Sequence, residues 1–469
     1  MVKRRVKANA RAGRTLMFPT QHVDDRLKHG VACHKAGRLQ EACAAYADYF
    51  GDHPEDAANG HLFVQALMAM GQRTEAMDLL DTILAIAPQA PHLLALKGWL
   101  YLREDRLDDA EAFLCMAAEI SGANNTPMAD VWLYLGQCSA ARGNWQKARQ
   151  MHVHALHVDA TNEVARYGYA MLLLRQGKWS KGWHLYEARW KTPTFLAEHQ
   201  RHNPGERWTG EQSVDGKTIL VHSEQGQGDT LQFLRYLPVL AKMGARVLVE
   251  PGREELAPLV RANAERLGVE RVVTTGDLMP MTDFHIPLLS LPLALRSFIP
   301  RFDGPYLAAT PRRGEGAFRV GTCYAGSTGY QADKHRSTRP DQWDGVKAVD
   351  GVTWVDLQVG RGGTFTPKDW AETAEVVAGL DLVITVDTAI GHLAGALGVP
   401  CWVLIPVSND WRWGEGGQTT PWYAPSFRLY RQTTRGDYDS VFDRIRADLQ
   451  QEVSKKLTVP TKDLTPTPY

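Results

Sequence analysis

The sequence predicts an α + α/β multidomain chain, an N-terminal all-α solenoid of paired helices followed by two Rossmann-like lobes. Three observations lead there. A turn residue followed five positions later by a small residue recurs along the first 190 residues. After Trp190 the helical pattern gives way to short apolar runs alternating with helix-like segments. A stretch rich in Pro, Gly and Arg, from Phe302 to Gly316, then divides those runs into two sets. The expected order is a basic disordered tail over 1–22, repeats over 23–190 and a connector over 191–216. A first lobe over 217–312, a second over 313–450 and a flexible tail over 451–469 complete it.

The recurring pairs are Gly37/Ala42, Gly71/Ala76, Asp105/Ala110, Gly143/Ala148 and Gly177/Gly182, and their first members are separated by 34, 34, 38 and 34 residues. The one long interval holds the turn-rich insertion Gly122-Ala123-Asn124-Asn125-Thr126-Pro127. A period of ~34 with a small residue at a helix crossing is the signature of the tetratricopeptide repeat. The glycine reverses the chain at positive φ, and the small residue lets the two helices of a pair approach. Leu39, Tyr46, Leu79, Leu80, Leu107, Phe113 and Leu114 are the expected shared core. About five such repeats generate a concave face suited to a protein or peptide partner, and the same faces could serve self-association.

Bulk properties bound the remaining choices. With 469 residues, 44% of them hydrophobic, the chain can bury a large core. Its 53 basic and 53 acidic side chains cancel, which argues against a dedicated nucleic-acid binder. No apolar run approaches the ~18 residues of a membrane helix. The start is basic (Lys3, Arg4, Arg5, Lys7, Arg11, Arg14) and reads as a solvated tail or as an arm touching a polyanion. Cysteines at 33, 43, 115, 138, 323 and 401 show no paired metal spacing, so buried free thiols in a reducing cytoplasm and no bound metal are expected.

In the second half, strands are expected at 218–221, 246–249, 271–273 and 285–289 in the first lobe. In the second they are expected at 318–324, 352–357, 382–386 and 401–405. Strands alternating with helices imply parallel sheets covered on both faces, with a ligand crevice at the strand ends.

Three constellations at those ends carry chemistry. His222-Ser223-Glu224-Gln225-Gly226-Gln227-Gly228-Asp229 follows a strand and opens a helix. Gln225, Gly226 and Gly228 form a glycine loop that admits a ligand close to backbone. Asp229 reads either as the helix N-cap or as a general base at the crevice mouth. Asp387-Thr388-Ala389-Ile390-Gly391-His392 opens a helix of small residues, whose first-turn amides at Thr388 and Ala389 suit a pyrophosphate. His392 lies one turn past Thr388, and Asp387 either caps the helix or holds a donor hydroxyl. The polar loop Ala325 to Ser337 carries Lys334 and Arg336, cations placed to meet charge on a departing diphosphate.

The glycine-Asp element, the Asp-Thr-x-x-x-His-Leu-Ala element and the Lys-containing loop occur in the order seen in the ADP-heptose type of glycosyltransferase. With Gly182 to Trp190, Trp208-Thr209-Gly210-Glu211 and Asp410-Trp411-Arg412-Trp413 added, the chain resembles bacterial proteins that join tetratricopeptide repeats to a two-lobed (GT-B) glycosyltransferase domain. Some of these glycosylate proteins, flagellin included. The resemblance covers roughly 23–445. It implies Asp229 as base and a nucleotide-sugar donor whose diphosphate sits on the amides following Asp387, at Thr388 and Ala389, with His392 and Lys334 around it; Arg336 is the second cation the polar loop offers there. The expected mechanism is inversion on a hydroxyl of a protein acceptor recruited by the repeats, with no cofactor, and with no metal because cations and helix amides fill that role and no Asp-x-Asp motif lies in the crevice loops. Ala389 stands where heptosyltransferases have Gly, which speaks against heptose as the sugar. Two other readings fit the same motifs. One is a non-catalytic repeat scaffold with a degenerate transferase fold, and the other a transferase acting on lipopolysaccharide or another glycan. Trp411, Trp413, Trp422 and Tyr423 either line the donor pocket or pack the lobes.

Overall fold

The computed structural model describes residues 24–195, 206–274, 276–316, 318–330 and 332–458. The chain forms two compact units that divide between Ala165 and Arg166.

The first unit is a run of antiparallel helix pairs. They are α1 (Asp25–Lys35) with α2 (Leu39–Asp52), and α3 (Ala57–Ala69) with α4 (Arg73–Ile86). Next come α5 (Pro91–Arg103) with α6 (Leu107–Ala123), then α7 (Ala129–Ala141) with α8 (Trp145–Val158). The reversals sit at the expected residues, all at positive φ: Gly37, Gly71, Gly143 and, without glycine, Asp105 at φ 69. Side chains close several helix starts. Asp24 accepts from the Arg26 amide at 2.8 Å and Asn144 from the Lys147 amide at 3.1 Å, while Pro91 opens α5 where its missing N–H costs no helical bond. The small residues Ala42, Ala76, Ala110 and Ala148 are wholly buried. Tyr46, Leu80, Leu107 and Leu114 form the core as expected, but Leu39, Leu79 and Phe113 are only partly buried, at the rim of the helix layers.

The fifth pair, α9 (Glu163–Arg175) and α10 (Trp179–Tyr186), repeats the geometry: Gly177 turns at φ 72, and a Cβ on Gly182 would sit 2.6 Å from Leu174 Cδ2. From Arg166 onward, however, its residues belong to the second unit. Ala170, Leu174, Trp183 and Tyr186 are buried in one core with Trp208, Phe233, Trp411 and Trp422. Large aromatic side chains on α10 make this pair part of the α/β core.

Among the described residues the second unit contains two five-stranded sheets, parallel throughout. The first runs β1 (Glu206–Arg207), β5 (Phe284–Pro287), β2 (Thr218–His222), β3 (Arg246–Glu250), β4 (Val269–Val272). The second runs β10 (Phe427–Arg431), β9 (Cys401–Ile405), β8 (Leu382–Val386), β6 (Arg319–Cys323), β7 (Thr353–Asp356). β8 and β9 are buried at every residue, the pattern of strands covered on both faces. Strand order reverses between β2 and β5 in one sheet and between β6 and β8 in the other, where loops diverge and leave a crevice. Among the covering helices, α11 (Gln227–Phe233) follows β2 and α12 (Ala389–Leu397) follows β8.

Two further expected boundaries move. β1 and the buried Trp208 and Val214 lie in the segment read as a connector, so its end is part of the first sheet's core; positions 196–205 are outside the described residues. The final helix α13 (Asp439–Thr458) extends past residue 450, with Leu449 and Val453 buried against the second sheet, so the tail read from 451 begins as helix. The basic tail over 1–22 and positions 459–469 are outside the described residues. Four of the six cysteines are buried as expected, but Cys43 is half-buried and Cys115 exposed.

Candidate functional site

A crevice of about 930 Å³ opens at the C-terminal ends of the strands. Its floor is where α11 and α12 meet. Gly228 makes that meeting possible: a Cβ there would lie 2.8 Å from His392 Cδ2 and 3.3 Å from Ala389 Cα. Residue 229 thus stands beside the turn at 387–392. Gln225, Gly226, Gly228, Asp229, Arg336, Asp387, Thr388, Ala389 and His392 all line the crevice. Lys334 does not: it is exposed, on the one-turn helix Asp333–Arg336 within the loop after β6. Arg336, two residues on, occupies the crevice wall instead.

Asp229 is not the N-cap of α11. It is the third helical residue, and its Oδ2 reaches back to accept the Gly226 N–H at 2.9 Å. Its Oδ1 is paired with Arg412 Nη2. Enclosure raises its affinity for a proton; Arg412 opposes that and Asp410 reinforces it. Arg412, almost fully buried, is held by Asp410 at 2.9 Å and by Gln232 Oε1 at 2.6 Å. On Asp410, burial alone would raise the pKa, but the Arg412 charge and hydrogen bonds outweigh it and hold the carboxyl below its usual range.

Opposite lies the start of α12. Thr388 is its N-cap residue but makes no side-chain cap bond; its hydroxyl meets Thr385 Oγ1 at 3.0 Å. Asp387 uses its carbonyl to accept from Arg336 Nη1 at 2.7 Å, and its carboxyl is raised to about 6 by burial, against the pull of Arg336. His392 Nδ1 bonds the Tyr423 hydroxyl at 2.8 Å, and its ring stacks 5.4 Å from that of Trp413. Burial, with Arg412 adding repulsion, pushes its pKa down to about 3, so the imidazole is neutral at pH 7. Trp411, Trp413, Trp422 and Tyr423 are buried packing residues and do not line the crevice.

Sequence reasoning missed four residues that shape the site. Gln358 Oε1 accepts from the Tyr324 and Ala325 amides at 3.1 and 2.9 Å and fixes the loop after β6. Arg361, at φ 53, donates to the Gly326 carbonyl at 3.1 Å and shares Asp333 with Arg336. Buried Glu224 holds Arg189 through two bonds of 2.7 and 2.8 Å and accepts the Leu289 N–H at 3.0 Å, anchoring the glycine loop. Glu224 and Arg189 each lie within a stretch quoted above, yet neither stretch names its partner. Because Asp229, Asp387 and Asp410 stand among Arg336, Arg361 and Arg412, the charge is mixed. The crevice thus offers directed N–H groups rather than a bulk positive field.

The chain therefore joins tetratricopeptide repeats, a protein-interaction architecture, to a parallel-sheet α/β unit with a crevice at its strand ends. Residues 34–100 match the family model described as tetratricopeptide repeat. Protein FlbA of Caulobacter vibrioides is 25% identical over 480 residues, spanning 90% of this chain and 78% of that protein. Among solved structures, PilF of Pseudomonas aeruginosa is 15% identical, with a TM-score of 0.32 over 39% of this chain and 78% of that one. A thermophilic TPR protein of Thermus thermophilus is 20% identical, with a TM-score of 0.33 over 38% of this chain and 95% of its own. No helix among the described residues is long and apolar enough to cross a membrane.

Proposed function

We propose that the α/β unit is a cytoplasmic, metal-independent, inverting glycosyltransferase of the two-lobed kind. It moves a sugar from a nucleotide-sugar to a hydroxyl of a protein, flagellin being one candidate, that the repeats recruit. The observation that carries this reading is the contact of α11 with α12, which sets a carboxylate beside a helix start and its arginines in one crevice. The donor diphosphate would lie on the first-turn amides of α12, with Arg336 and Arg361 meeting its charge. His392, being neutral, would contribute a hydrogen bond rather than a charge. Asp229, its proton affinity raised by enclosure and its orientation set by Arg412 and the Gly226 amide, would take the acceptor proton. The acceptor oxygen would then attack the anomeric carbon from the face opposite the leaving diphosphate.

A second reading has its own support. Both Asp229 oxygens are already engaged, as a purely structural clip between α11 and the loop after β9 would require. In that case the chain is a scaffold. Purified protein offered a panel of nucleotide-sugars and nucleoside diphosphates separates the two. The transferase reading expects diphosphate binding that weakens in Arg336→Ala and persists in Asp229→Asn, with sugar transfer or donor hydrolysis lost in Asp229→Asn. No binding of any nucleotide would leave the scaffold.

A further inference from the structure

We propose that His29, Cys33 and Glu41 form a zinc site in the first helix pair. His29 and Cys33 are four residues apart on α1, hence on one face and one turn above each other, and Glu41 comes from the first turn of α2. Their ligand atoms converge: Cys33 Sγ lies 3.6 Å from His29 Nε2 and 3.9 Å from Glu41 Oε2, and all three atoms fall within 4.8 Å of one another. A tetrahedral Zn²⁺ with a Zn–S distance of about 2.3 Å and Zn–N or Zn–O distances of about 2.0–2.1 Å holds its S···N and S···O pairs at about 3.5 Å. The two sulfur pairs are already close to that geometry, and the His29 and Glu41 ligand atoms, within 4.8 Å of each other, close onto the ion by side-chain movement.

The donor set also suits this ion. Thiolate, imidazole and carboxylate together match a borderline-soft cation, whereas an all-oxygen site would suit calcium or magnesium. The sulfur is fully buried, while His29 and Glu41 are exposed and form the entry side. Arg38 Nη1 donates to Glu41 Oε2 at 3.4 Å; once the metal takes that oxygen, Oε1 remains for the arginine. On binding, the Cys33 S–H releases its proton to solvent as the Zn–S bond forms. His29 binds as neutral imidazole through Nε2, Glu41 binds through one oxygen, and water fills the fourth position. No oxidation state changes. Such an ion clips α1 to α2 across the turn at Gly37, a bridge independent of any chemistry in the crevice.

The experiment uses the full chain, purified metal-free, with Co²⁺ as the spectroscopic stand-in. A near-ultraviolet sulfur-to-cobalt charge-transfer band should grow to one equivalent and be displaced by Zn²⁺. Zn²⁺ should also raise the temperature of a thermal transition. Cys33→Ser should lose the band. His29→Ala and Glu41→Gln, both at exposed positions and so expected to fold, should each weaken binding at least ~10-fold. If Cys33→Ser fails to fold, those two variants decide. Absence of the band, a band that survives Cys33→Ser, or equal affinity in all variants would overturn the proposal and leave the sulfur as an ordinary packed thiol.

Discussion

Replacing His392 with glutamine should change how the protein's stability responds to acid. In the fold this imidazole is buried against Trp413 and Tyr423 and repelled by Arg412, which together bring its pKa to about 3. In the unfolded chain it titrates near its ordinary value of about 6.5. Between those values the unfolded state binds a proton that the native state refuses, so stability rises with pH through the window and falls on acidification. From pH 7 to pH 5 that amounts to about 2 kcal/mol lost. Asp387 works in the opposite sense. Raised to about 6 in the fold, it takes up a proton natively before the unfolded chain does, contributing about 1 kcal/mol over the same acidification. The wild-type change from these two groups is therefore small. Glutamine keeps a polar partner for the Tyr423 hydroxyl but removes the histidine titration. Urea unfolding followed by fluorescence at both pH values should show His392→Gln gaining about 2 kcal/mol on wild type between pH 7 and pH 5. Titration of the repeats cancels in that comparison. A stability difference that is the same at both pH values would refute the assignment of a neutral, buried imidazole.

Two further outcomes follow from packing and charge. Glu224→Gln should destabilise the α/β unit by about 3 kcal/mol in the same unfolding assay, because Arg189 is fully buried and would lose its bidentate counter-charge, keeping only Glu187. Gly395→Ala should cost about 1–3 kcal/mol, since the new methyl would lie 2.3 Å from the Tyr423 ring and push α12 off its bed; thermal unfolding indistinguishable from wild type would show that the ring yields freely.

The repeats were legible in the sequence because each turn must place one residue at positive φ and each crossing must admit a small side chain. Those demands recur at a fixed spacing. Asp105 shows that the spacing carries the signal, for it makes the same turn without being glycine. The core strands were equally readable, since β2, β3, β8 and β9 each carry three or more consecutive apolar residues between polar loops. β1 and β10 were not. The first is two residues long, and the second, Phe427-Arg428-Leu429-Tyr430-Arg431, alternates charge with apolar residues. The place of the fifth helix pair was hidden for a different reason. Its local pattern is that of a repeat, and only the later tryptophans at 208, 411 and 422 supply the core that claims it.

In the site, what could be read was position along the chain: residues after strands and at helix starts. Lys334 and Arg336 were equivalent on that ground, and a single helical turn decides which one enters the crevice. The pairing of Asp229 with Arg412 spans 183 residues and leaves no local trace. Its nearest hint is an arginine set between two tryptophans, a place where a buried cation would need a counter-charge from elsewhere.

The two sheets are stitched by guanidinium groups. Arg412, from the loop after β9, grips Asp229 and Gln232 on α11, while Arg235 reaches back to the Trp422 carbonyl at 2.7 Å. Swinging the halves apart would strip these buried cations of their partners, a costly step. Any widening of the doorway to the crevice floor therefore carries the cost of unpairing a buried cation.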